Sequence, residues 1–204
     1  MRINPEYERN VFINCPFDED YDQIFNAILF TVHKCGFILR CSKEFEDSSG
    51  IRIKNIIQLI KGSKYSIHDL SRITLDGTSN LPRFNMPLEL GICIGAIEFG
   101  NLRQNNKEYL IIESDKFRFK QFVSDLSGQD IKSHNNKVTD VITAIRNWLT
   151  KKTNEKIPSA SYIYEDYNNF LKDLPERCTL NRWNPLELTF DEYSSLVTSW
   201  LTLK

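Results

Sequence analysis

The chain has 204 residues, 41% of them hydrophobic and 26% charged, with a net charge of −1. That is enough apolar material for one well-packed domain with a small appendage. It offers no basic field with which to bind nucleic acid irrespective of sequence. The polar start "MRINPEYERN" carries no secretory signal, and no apolar run is long enough to span a bilayer. Five cysteines, Cys15, Cys35, Cys41, Cys93 and Cys178, form no CxxC pair, and His33, His68 and His134 have no ligand spacing. These features describe a reduced, cytoplasmic protein with no metal site, no membrane contact and no expected cofactor.

"NVFINC" (Asn10–Cys15) is apolar, rich in β-formers and stopped by Pro16, which predicts a strand. In the next segment Tyr21, Ile24, Phe25, Ile28 and Val32 recur at helical spacing up to Gly36. Phe37–Cys41 reads as a second strand, Ile51–Ser63 as a helix with Ile53, Ile56, Ile57 and Ile60 on one face, and Lys64–Leu70 as a third strand. A loop over Ser71–Asn85 leads to a helix over Met86–Phe99. Lys107–Ser114 is a fourth strand, "KFRFKQFVSDL" a short helix or turn, "GQDIKSH" a short fifth strand, and Asn135–Lys152 an amphipathic helix.

Strands alternating with helices predict an α/β fold, a flavodoxin-like doubly wound parallel sheet of about five strands. Residues 1–152 form this unit. Residues 153–204, with helical segments "YIYEDYNNFLKDLPERC" and "LTFDEYSSLVTSWLTLK", form a C-terminal helical appendage packed on it. Aromatics at helical spacing there (Tyr162, Tyr164, Tyr167 and Phe170) point to packing or dimerisation.

In doubly wound sheets ligands bind beyond the carboxyl ends of the strands. Three polar clusters fall there: Asn14, Pro16 and Phe17 after the first strand; Asp69, Ser71 and Arg72 after the third; Arg83, Asn85 and Glu89 around the start of the 86–99 helix. Pro87 suits a first helical turn, and Glu89 lies near the positive end of the helix dipole, which favours its ionised form. On a helical wheel Glu89 flanks the stripe Leu90, Cys93, Ile94 and Ile97, while Gly91 and Gly95 keep the helix slim. Glu89 also has a plain explanation as a first-turn carboxylate, Asp69 as a turn residue, and both arginines as solvated side chains. Their meeting at one sheet edge favours a site. Two arginines there suit a phosphorylated ligand.

"VFINCPFDEDYDQIFNAI", "YSIHDLSR" and "PRFNMPLELGICIGA" together resemble nucleoside 2-deoxyribosyltransferase-like proteins, which share their architecture with Toll/interleukin-1 receptor (TIR) domains. The likeness runs over about half the chain, Val11 to Ile112, and is nearest to a bacterial TIR-like, nucleotide-binding group, several members of which are linked to anti-phage defence. The resemblance implies that Pro16-Phe17 opens a pocket, that Asp69 helps hold the substrate, and that Glu89 in "LELGICIGA" attacks the sugar. It also implies a homo-oligomer. Before the glutamate helix this chain reads "LPRFNMP" in place of the transferases' glycine-rich turn, of which "LDGTSN" (Leu75–Asn80) is a distant echo. The expected activity is a nucleotide N-glycosidase acting on NAD or a nucleoside 5′-monophosphate, with Glu89 and Asp69 catalytic. Asn14, Pro16, Phe17, Ser71, Arg72, Arg83 and Asn85 would then bind substrate. The competing expectation is a nucleotide-sensing module that signals without turnover through an oligomer or a partner.

Overall fold

The computed structural model describes residues 6–45, 50–72 and 83–203. Its strands are β1 (Asn10–Asn14), β2 (Ile38–Cys41), β3 (Tyr65–Asp69), β4 (Glu108–Glu113) and β5 (Lys132–Ser133). All pairings are parallel and the order is β2-β1-β3-β4-β5. The chain order reverses between β1 and β3, so the crevice at their carboxyl ends is the switch point of a flavodoxin-like sheet.

The helices are α1 (Asp22–Lys34), α2 (Arg52–Gly62), α3 (Asn85–Phe99), the short α4 (Leu102–Asn105), α5 (Val138–Leu149), α6 (Ala160–Asn181) and α7 (Phe190–Thr202). Alternation along the buried strands sorts them into layers. Val11, Ile13 and Cys15 face α1 and α5, whereas Phe12 faces α2 and α3 with Ile56, Leu59, Ile60 and Cys93. α6 and α7 then pack outside α1 and α5 as a further layer.

That extra layer accounts for the composition of α1. Six consecutive residues, Ala27 to Val32, are buried, because the helix is covered by the sheet on one side and by α6 and α7 on the other. The Phe30 ring lies 5.4 Å from Tyr167, 5.6 Å from Phe170 and 5.8 Å from Trp200, centroid to centroid. The appendage therefore shares the main core. Of the aromatic set seen in the sequence, Tyr167 and Phe170 are buried and Tyr162 and Tyr164 are exposed.

Local chemistry sets the ends. Gly36, at φ +83°, turns the chain out of α1 in a conformation that glycine adopts without steric cost. α7 starts at a capping box in which Glu192 N–H donates to Thr189 Oγ1 at 3.3 Å and Thr189 N–H to Glu192 Oε2 at 2.8 Å. α6 continues through Pro175, which cannot donate to the Leu171 carbonyl; Leu171 is exposed, so water can take the vacated place. β5 is shorter than the sequence suggests, and "KFRFKQFVSDL" forms two 3-10 turns, Arg118–Gln121 and Ser124–Leu126. Among the described residues no helix is long and apolar enough to cross a membrane.

Candidate functional site

Two buried polar networks meet the switch point, one on each face of the sheet. On the α2/α3 face, Asn14 ends β1. Its Nδ2 donates to the Met86 carbonyl at 2.8 Å and lies 3.0 Å from His68 Nδ1. His68 is fully buried, and desolvation lowers its pKa to about 3, so its ring is neutral. With Nδ1 accepting from Asn14, Nε2–H donates to Ser66 Oγ at 3.1 Å, and Ser66 lies 3.2 Å from Cys93 Sγ. This chain of bonds ties the first turn of α3 to β1 and β3.

On the other face Asp69 ends β3. Its carboxylate receives the Tyr21 hydroxyl, the Ser71 hydroxyl, the Ser71 N–H at 2.7 Å and His134 Nε2 at 3.0 Å. Asp69 and His134 are both fully buried. The Asn136 N–H donates to His134 Nδ1 at 3.2 Å, which places the ring proton on Nε2. Ser71 Oγ is also 3.0 Å from that nitrogen. The set holds a serine, a histidine and an aspartate but is not a catalytic triad. Both oxygen partners converge on one imidazole nitrogen, and that nitrogen carries a proton, so His134 cannot take one from Ser71. Asp69 has no face left for a ligand. Its role is to join β3, α1 and the segment after β5.

Glu89 is the exception to this satisfied pattern. It sits one turn after Met86 on α3 and is 8% exposed. Among the described residues no hydrogen bond or ion pair reaches its carboxylate. Burial pushes its pKa up to about 7, against a smaller downward pull from the Arg52 guanidinium. The expectation that the helix N-terminus holds Glu89 ionised is therefore corrected. α3 begins at Asn85, so Glu89 lies beyond its first turn, where the dipole effect has fallen off, and desolvation dominates.

Arg72 and Arg83 reach the same edge but are engaged. Asp18, in the loop after β1, pairs with Arg83 Nη1 at 2.6 Å and Arg72 Nε at 3.7 Å, and Asp20 lies 3.6 Å from Arg72 Nη2. Pro16 is buried, and Phe17 packs edge-on against Phe25 at 5.4 Å, with Lys43 Nζ 5.4 Å from the Phe17 ring centre. Asn85 opens α3 and is exposed. Leu75–Asn80 lies outside the described residues.

A cavity of about 330 Å³ opens beside the Asp69 network, lined by Tyr21, Ser71, Arg72, Ser114, Arg118 and Asn136 among others. Glu89 does not line it. Tyr21 was a candidate only as an aromatic support for Glu89, and it bonds Asp69 instead; Arg118, His134 and Asn136 were not legible as site residues in sequence. The signal for His134 was its place just after the fifth strand, at the same sheet edge, in a strand too short to give a register. Among the described residues no group of three His, Cys, Asp or Glu side chains could hold a metal. No family model, curated protein or solved structure matches the chain.

Proposed function

We propose that this protein hydrolyses the N-glycosidic bond of a nucleotide, NAD or a nucleoside 5′-monophosphate, with Glu89 as the carboxylate at the anomeric carbon. The observation that supports this reading is Glu89 itself: buried at the switch point, with a pKa of about 7 and, among the described residues, no hydrogen bond or ion pair to its carboxylate. Native proteins pair their buried carboxylates, and a perturbed, unpaired one at a ligand edge points to a ligand.

The chemistry suits the position. As the bond between C1′ and the base nitrogen breaks, its electron pair leaves with the base and positive charge builds on the ribose. An ionised Glu89 stabilises that charge or traps it as a glycosyl-enzyme. Water then adds at C1′ and gives up a proton, leaving a free 1′-hydroxyl. Nicotinamide departs from NAD neutral; a monophosphate's base takes up a proton as it leaves. Asp69 acts as a positioning residue in this scheme. Arg72 and Arg83 bind phosphate by exchanging Asp18 for it.

A second reading, a nucleotide sensor without turnover, draws on one observation: with Asp69 saturated, Glu89 is the one candidate carboxylate left at the edge. Product analysis by liquid chromatography and mass spectrometry separates the two. The protein is incubated with NAD, deoxynucleosides and nucleoside monophosphates. Free base released by the wild type and not by Glu89→Gln supports the hydrolase; binding without product supports the sensor.

A further inference from the structure

The two outer edges of the sheet are finished differently. At the β2 edge the Cys41 N–H is taken by Glu44 Oε1 at 2.8 Å, and Arg40 holds the same carboxylate at 2.7 Å. At the other edge β5 pairs only with Ile112 and Glu113 of β4, while β3 pairs with Glu108 to Ile112 on the inner side. The Glu108 N–H donates inward, to the Lys64 carbonyl at 3.1 Å, and the Glu113 carbonyl accepts outward, from the His134 N–H at 2.9 Å. Successive residues of a parallel strand bond to opposite neighbours, so the amide and carbonyl of Tyr109 point outward. Among the described residues no backbone group pairs with them on that side.

A cavity of about 380 Å³ lies against this bare stretch. It is lined by Tyr109, Leu110 and Ile111 of β4, by Trp148 near the end of α5, by Lys151 just beyond it and by Lys132 of β5, among others. Tyr109 is in register with Ser66, near the start of β3, so the groove lies toward the amino ends of the strands, away from the crevice at Glu89.

We propose that this groove takes an extended acidic segment of another protein, added as a strand beside β4 with its carboxylates toward Lys151 and Lys132.

The bare edge selects an extended backbone. An added strand supplies a donor and an acceptor at the spacing that Tyr109 presents, as in other cases of strand addition. The four residues Glu108 to Ile111 offer about 13 Å of edge at roughly 3.3 Å each, which suits a short segment. Side chains of such a strand alternate between the two faces. Those on the α5 face meet the half-buried Trp148 ring and Lys151.

Charge selects an acidic partner over a second copy. Lys132 and Lys151 are both exposed. Asp130 pairs with Lys132 at 2.6 Å, whereas among the described residues no carboxylate pairs with Lys151. Two lysines against one aspartate leave the lining positive, in a chain whose net charge is −1. The same lysines oppose edge-to-edge pairing of two copies, which would bring like charges together.

The test is fluorescence anisotropy of a labelled peptide of alternating glutamate and valine, titrated with the full chain. Binding is expected with a Kd on the order of 10–100 µM. Lys151→Glu is expected to weaken it about tenfold or more with an unchanged circular dichroism spectrum, since Lys151 is exposed. A peptide with lysine in place of glutamate is expected not to bind. Methylating the peptide's backbone nitrogens at alternate residues separates strand addition from charge attraction. Blocking one set of amides is expected to abolish binding and blocking the other to leave it, because only alternate residues bond to β4. Exchange of the Tyr109 amide is expected to slow in the complex. No binding up to about 1 mM, equal binding by Lys151→Glu, or binding that survives both methylations overturns the proposal.

Discussion

Asn14 Nδ2 donates to the Met86 carbonyl oxygen at 2.8 Å, binding the last residue of β1 to the first turn of α3, three residues before Glu89. The same nitrogen serves His68 Nδ1 at 3.0 Å. Asn14 was expected to touch substrate; its amide nitrogen is instead committed to holding the helix that carries Glu89.

Replacing Asn14 with leucine therefore removes two buried bonds and leaves His68 Nδ1 without its donor. The expected loss is about 1–3 kcal/mol of stability, the usual cost of orphaned buried polar groups. Urea unfolding measures it. Hydrogen exchange is expected to rise first in the amides of the first two turns of α3.

Glu89 makes the fold less stable as the pH rises. Its pKa in the folded state is about 7, against 4.5 unperturbed, so between these values the native protein binds more protons than the unfolded chain. Stability attributable to this group is highest below pH 4.5 and declines through pH 7. Glu89→Gln is therefore expected to be the more stable protein at pH 8, by up to about 3 kcal/mol on the linkage scale, with the difference vanishing toward pH 4.5. Thermal melts of the two proteins at pH 5 and pH 8 check this.

His33 acts in the opposite sense. Burial against α7, with Ser194 and Thr198 hydroxyls at 3.4 Å, lowers its pKa to about 4. The unfolded chain takes up a proton near pH 6.5 and the folded one does not, so stability falls as the pH drops from 6.5 to 4. His33→Gln is expected to flatten that acid limb by up to about 3 kcal/mol. Denaturant midpoints across pH 4–7 read it.

Asp18 pairs with Arg72 and Arg83, and in the proposed function phosphate takes its place. Asp18→Asn keeps the shape and removes the charge, so nucleoside monophosphate is expected to bind about tenfold tighter, the effect of roughly 1.4 kcal/mol. Asp18→Asn combined with Arg83→Ala is expected to lose that gain. Calorimetric titration distinguishes the two outcomes.

Much of the fold was legible because short apolar β-forming runs alternate with segments of helical periodicity. Val11 to Cys15 read as an unbroken β-forming run stopped by Pro16, and Ile53 to Ile60 repeat along α2. β5 was barely legible, since two residues carry no period, and with it went His134 and Asn136. At the site, Glu89 and Asp69 were both visible as carboxylates at a sheet edge. What separates them is three-dimensional. Asp69 meets Tyr21 and His134, distant in sequence, whereas Glu89 meets no described donor, and neither fact follows from spacing. The charge state of Glu89 was misjudged for the same reason: helix position can be read from sequence, but depth of burial cannot.

The most direct test is the initial rate of base release from the substrate picked out by product analysis, measured for the wild type and Glu89→Gln between pH 6 and 8. With Glu89 as the ionised carboxylate, the wild-type rate rises with pH through about 7, and Glu89→Gln falls by about 10³-fold or more, comparable to losing a principal electrostatic stabiliser of a transition state. Wild-type turnover that Glu89→Gln retains within about tenfold would contradict the role given to Glu89. No base release by the wild type at any pH would contradict the hydrolase itself.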